Sequence, residues 1–162
     1  MAVDEEVWLS VLREHEVRGG EGWDNPLDFN RTAAQARFDR LAERLSETFA
    51  RPFESSAGPK SDSAGFGDIC IPAEFTRTRT KRTREPRYIR VSVSTYGYLA
   101  TYGTVGHGRA PIHKDDTRRI EEAFEGLDYV IVPERVLALP YDGIHSPECC
   151  AMSWYDRFFG FL

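Results

Sequence analysis

No stretch of this chain approaches the roughly twenty consecutive apolar residues that a membrane-crossing helix needs, which argues against a helical membrane protein. Cysteine is scarce. Cys70, Cys149 and Cys150 are odd in number and two are adjacent, so an ordinary disulfide framework is disfavoured and reduced thiols are the simpler account. The start, Met-Ala-Val-Asp-Glu-Glu, has neither the basic residues nor the apolar stretch of a secretory signal, and a cytoplasmic location is expected. Internal repeats and domain-scale linkers are also missing. So is a nucleotide fingerprint: Gly103-Thr-Val-Gly106-His-Gly108 has glycines, but Pro111 and a late helix start break the strand–loop–helix context that a phosphate cradle requires.

What the chain does have is apolar bulk. Hydrophobic residues make up 41% of 162, with 10 Phe, 7 Tyr and 3 Trp, enough for one domain that buries a core without disulfides or metal. Charge is unevenly spread. Residues 77–90 hold seven cations (Arg77, Arg79, Lys81, Arg82, Arg84, Arg87, Arg90) against Glu85, a local +6; taking that from the net −5 leaves −11 for the remainder. Such asymmetry bears on partners and solubility, not on fold.

Patterning supplies the elements. Val3, Val7, Trp8, Val11, Leu12 and His15 recur at helical spacing, and Gly19-Gly20 closes that helix. Asn30 is placed to cap a second helix with Ala34, Phe38, Leu41, Ala42, Leu45 and Phe49 on one stripe, Arg37, Arg40 and Arg44 on the wet side, and Pro52 as a stop. Residues 54–67 and 76–86 are expected to be flexible connections, with a short strand at Asp68 to Ile71 between them. Residues 88–94 alternate, which predicts a strand with Ile89, Val91 and Val93 buried and Arg90, Ser92 and Ser94 wet; residues 98–104 return as its hairpin partner. Asp115, Asp116 or Thr117 is expected to cap a helix carrying Ile120, Ala123, Phe124 and Leu127. A strand at Tyr129 to Val132, a helical turn at 133–139 and a closing helix from Trp154 complete the series. This order predicts a single α+β domain, a small mainly antiparallel sheet packed with about four helices, because a doubly wound sheet would need regular strand–helix alternation.

Candidate chemistry is sparse. His107, His113, His145 and Cys149 are the weak candidates for a metal- or thiol-dependent site, but their spacing matches no zinc signature and no nucleophile motif surrounds the thiol. No cofactor is expected. The arm Thr76-Arg-Thr-Arg-Thr-Lys-Arg-Thr-Arg84 could lay Arg77, Arg79, Arg82 and Arg84 along a nucleic-acid backbone, yet alternating charge equally protects a sheet edge and the acidic remainder repels a polyanion. Glu14, Glu16, Glu21, Asp24 and Asp28 form an expected acidic edge for a protein partner. Asp142 and Asp156-Arg157 are expected to pair as a lock. The aromatic tail must be covered, either by its own chain or by a second copy in a homodimer.

The motifs Phe38-Asp-Arg-Leu-Ala-Glu-Arg-Leu45, Ile89-Arg-Val-Ser-Val93, Leu99-Ala-Thr101, Tyr129-Val-Ile-Val-Pro133, Pro140-Tyr-Asp-Gly143 and Trp154-Tyr-Asp-Arg-Phe-Phe159 together resemble a group of small bacterial proteins. Some of these are of the immunity type that neutralises polymorphic toxins. The resemblance spans roughly residues 30–162; the basic arm and the adjacent cysteines depart from it. It implies a cytoplasmic, protein-binding chain with no catalytic residues to carry over.

Overall fold

A computed structural model describes residues 3–18, 28–53, 55–57, 65–80, 83–95, 98–105, 110–144 and 151–160. Five strands lie in chain order across one sheet: β1 (Ser55–Ala57), β2 (Gly65–Ile71), β3 (Ile89–Ser94), β4 (Leu99–Thr104) and β5 (Val130–Ile131). The first four are antiparallel neighbours, and β5 runs parallel to β4. The helices are α1 (Val3–Arg18), α2 (Arg31–Thr48), α3 (Lys114–Phe124), α4 (Glu134–Leu137) and α5 (Trp154–Phe159), with a 3-10 turn at Ala73–Phe75. The α+β class follows directly: α3 provides the crossover that a parallel β4–β5 pair requires, and the other neighbouring strands are antiparallel.

Period-2 alternation in β2–β4 sends side chains to two faces, and both faces are covered. On the first, Ile69, Ile71, Ile89, Val91, Val93 and Ala100 meet the α2 stripe of Phe38, Leu41, Leu45 and Phe49 and the α3 residues Ile120, Ala123 and Phe124. Each such side chain contributes roughly 1.5–3 kcal/mol by leaving water. Asn30 caps α2 as its sequence implies, accepting from the Ala33 amide at 3.0 Å, a bond worth about 1 kcal/mol. Arg44 joins the two helices, donating to the Ala123 and Glu125 carbonyls that α3 leaves open at its end.

On the second face Leu99 and Val130 meet Leu9 and Leu12 of α1, Val136 and Leu137 of α4, and Trp154, Phe158 and Phe159 of α5. Trp154, Phe158 and Phe159 of the aromatic tail are therefore covered by their own chain, and Phe161 and Leu162 lie outside the described residues.

Five expectations change. The wet face of β3 is dry: Ser92 and Ser94 are buried, because α5 packs on that side and Asp68 accepts the Ser92 hydroxyl at 2.6 Å. Residues 54–67 are not wholly a connection, since Ser55–Ala57 pairs with β2 and β2 begins at Gly65. The stripe of α1 is rotated, leaving Val7 exposed and turning Leu9, Leu12 and Glu16 inward, because a polar group at Glu16 finds a buried partner. Arg37 and Arg44 are not on the wet side of α2; Arg37 lies flat on the Tyr98 ring, 3.8 Å from its centroid, where cation and ring face attract. His113, not Asp115, Asp116 or Thr117, caps α3: its ring accepts from the Asp115 amide at 3.2 Å, freeing Asp116 to turn inward.

Candidate partner-binding cleft

Two buried polar constellations fasten the scaffold before any open site is considered. In the first, Glu16 of α1 accepts from the Tyr141 hydroxyl and from Arg157 Nε of α5, the latter at 3.1 Å. Glu16 is 1% exposed and Arg157 is fully buried, so this acid belongs to the interior and not to the expected acidic edge. The segment 140–143 is shaped around it. Tyr141 donates its amide to Met152, Trp154 donates to Leu139, and a Cβ on Gly143 would sit 2.1 Å from the Glu16 carboxylate, which explains glycine there. Asp142 pairs with Arg13 at 2.7 Å, and Asp156 closes a capping box with Ser153. The expected lock between Asp142 and Arg157 is thus replaced: Arg157 takes Glu16, because a guanidinium with no exposed surface needs an equally buried carboxylate.

The second constellation holds the basic arm. Asp116, fully buried in the first turn of α3, accepts the Arg77 amide at 2.8 Å and the Thr78 hydroxyl at 2.6 Å; that hydroxyl accepts the His113 amide at 3.0 Å. Thr76 donates to the carbonyl of Arg87, and the Thr80 amide to that of Glu85. The described residues of the arm, 76–80 and 83–87, are consequently paired as a hairpin, with Arg79 opposite Pro86, in place of the flexible connection expected for 76–86. Thr76 and Thr78 turn inward and hydrogen-bond, while Arg77, Arg79 and Arg84 remain exposed. Asp116→Ala is expected to cost about 2–3 kcal/mol, because it strands two buried donors. Amide exchange at residues 77–80 should rise at least about tenfold with the β3 amides unchanged; equal protection in the variant would show that something else holds the arm.

The cations of the arm do not form an open line. Arg77 pairs with Asp115, whose carboxyl is held below its ordinary value: partial desolvation opposes this, but the Arg77 hydrogen bond and charge outweigh it. Arg79 folds onto the carbonyls of Thr76 and Thr78, Arg87 donates to Val105, and Arg90 reaches the Tyr155 hydroxyl at 3.0 Å. Arg84 is exposed at the turn, and Arg82 lies outside the described residues. Of the metal or thiol candidates, His107, His145 and Cys149 also lie outside them, while His113 is occupied as a cap. Among the described residues no three His, Cys, Asp or Glu side chains are grouped to hold a metal ion. No described helix is long and apolar enough to cross a membrane. Glu14 and Asp28 are exposed, and Glu21 and Asp24 lie outside the described residues.

Among the described residues an open site lies where β5 leaves β4. Pro133 turns the chain into α4 after Val132, so β5 covers only Leu99 and Ala100 of the β4 edge. Val130 and Val132 donate to the carbonyls of Tyr98 and Ala100, while Val105 bonds back to Tyr88. By alternation, the even-numbered residues of β4 aim their main-chain groups away from β3. Tyr102 and Thr104 therefore present N–H and C=O to a cleft of about 410 Å3, walled by Ile112, Thr117 and Glu121 on one side and Ile131 to Glu134 on the other. Its size is ordinary for a binding site.

Among the described residues, the charged groups lining this cleft are both acids. Glu121 is exposed and accepts the Tyr102 hydroxyl at 2.9 Å. Burial first, and then this hydrogen bond, raise the Tyr102 phenol above its ordinary range. Glu134 lies over Gly103, where a Cβ would meet its carboxylate at 2.0 Å. None of these residues stood out in the sequence except through one signal: a glycine inside a strand marks close approach, and Gly103 is such a glycine. Comparison with protein-family models, with curated proteins and with solved structures returns no match to this chain.

Proposed function

We propose that this chain is a non-enzymatic protein-binding domain of the immunity or antitoxin-like kind, acting by covering the working surface of a toxin. The observation that carries the proposal is the cleft beside β4. An open main-chain edge flanked by carboxylates recognises an extended segment of another protein, since edge hydrogen bonds give affinity and flanking charge gives selectivity. The charge layout supports the same reading. A remainder of −11 outside the arm steers the molecule toward a basic surface, such as the cleft of a toxin that acts on nucleic acid. The buried ionic groups Glu16, Arg157 and Asp116 serve the scaffold in this account, leaving the cleft as the surface that selects a partner.

Tagged protein purified gently from its own cells, beside a Glu121→Lys variant of equal thermal stability, tests the proposal. Wild type should retain a protein that is lost, or at least about tenfold depleted, with the variant. Retention that ignores the charge reversal, or no retained protein in either case, overturns it.

A further inference from the structure

The cleft and the basic arm lie side by side. Asp116 and His113 at the start of α3 anchor the arm, and Ile112, Thr117 and Glu121 of the same region form a wall of the cleft. One patch is cationic; its neighbour is anionic with an open strand edge. Within the hairpin, Arg87 donates to Thr78 and Thr80 donates to Glu85, so residues 78 and 80 spend their main-chain groups internally. Arg79, between them, faces its own N–H and C=O outward. On the same outer side the Arg77 N–H is already given to Asp116, and Pro86 across the hairpin has no N–H, so the outer side keeps open main-chain groups at Arg79 and not at Arg77.

Two unlike patches adjacent on one surface are what a two-fold dimer requires, because the axis carries each patch onto its complement in the other copy. We infer that, when no partner is bound, the cleft beside β4 receives the basic arm of a second copy, forming a reciprocal homodimer with Arg79 of each copy beside Glu121 of the other. The inference rests on the proposal that the cleft binds protein segments, and it makes the second copy a competitor of that partner. The occupant follows from charge: the cleft carries Glu121 and Glu134, and residues 77–90 carry a net +6 with the Arg79 and Arg84 side chains exposed.

Sedimentation of the full chain at graded concentration and salt tests the inference. Wild type should form a dimer that weakens as salt rises. Glu121→Arg and Arg79→Glu should each raise the dissociation constant at least about tenfold, and the two changes combined in one chain should bring it back to within about threefold of wild type. Should Arg79→Glu fail to fold, Arg84→Glu replaces it, because Arg84 is exposed and its recorded bond is a main-chain one. A wild type that stays monomeric throughout, or a dimer indifferent to these reversals, overturns the inference. The protein-binding proposal has its own readout: a monomer that still retains a partner through Glu121 keeps that proposal and removes only the dimer.

Discussion

Glu16→Ala is expected to remove about 3–5 kcal/mol of stability, because it leaves the Arg157 guanidinium buried without its carboxylate. For a domain of this size that is a fall in melting temperature on the order of 10 °C. The loss comes from the stranded charge and not from the bond alone. Glu16→Gln, which keeps an acceptor for the Tyr141 hydroxyl while deleting the charge, should fall between wild type and Glu16→Ala. The pair Glu16→Leu with Arg157→Met should recover most of the stability, since apolar groups of similar volume avoid the desolvation cost altogether. Urea unfolding of all four proteins decides the matter; a single variant that loses less than about 1 kcal/mol would mean that water reaches this ion pair.

Trp154→Ala should cost a comparable 3–5 kcal/mol, by emptying the volume of a fully buried indole. The ring stands edge-on to Tyr141, with centroids 4.8 Å apart, and stacks on Phe158 at 5.8 Å. Its N–H is buried with no hydrogen-bond partner among the described residues. Phenylalanine removes that stranded donor while keeping an aromatic face, so Trp154→Phe should cost less than about 1.5 kcal/mol. Far-ultraviolet circular dichroism through a denaturant series measures both without relying on tryptophan emission. Equal losses for the two variants would show that the indole N–H contributes a favourable interaction.

Much of the scaffold is legible in the sequence, for reasons that can be named. The α2 stripe and its Asn30 cap are local signals, and both hold. Alternation from Ile89 to Val93 identifies a strand and the side facing α2 and α3. Alternation cannot say whether the opposite side meets water, because that depends on α5, more than sixty positions away in the chain. The buried pairing of Glu16 was hidden for the same reason. A glutamate on an amphipathic helix is ordinarily solvated, and only the return of Arg157 and Tyr141 to α1 makes an interior position affordable. The arm shows a subtler limit. Alternating Thr and Arg signals one side turned in and one out, but which atom receives the threonines is set by Asp116, whose inward turn follows from the His113 cap. The cleft was least visible, since it is made where β5 stops short, and a strand's length relative to its neighbour is a property of the sheet and not of either segment.

The bond between Glu16 and Arg157 spans 141 positions, and this orders events during synthesis. A ribosome releases residue 16 long before residue 157, so until α5 emerges the Glu16 carboxylate has no buried guanidinium to meet. The layer formed by α2, α3 and the first face of the sheet lies within residues 29–131 and can assemble meanwhile. The arrival of α5 then completes the second layer and withdraws both charges from water together.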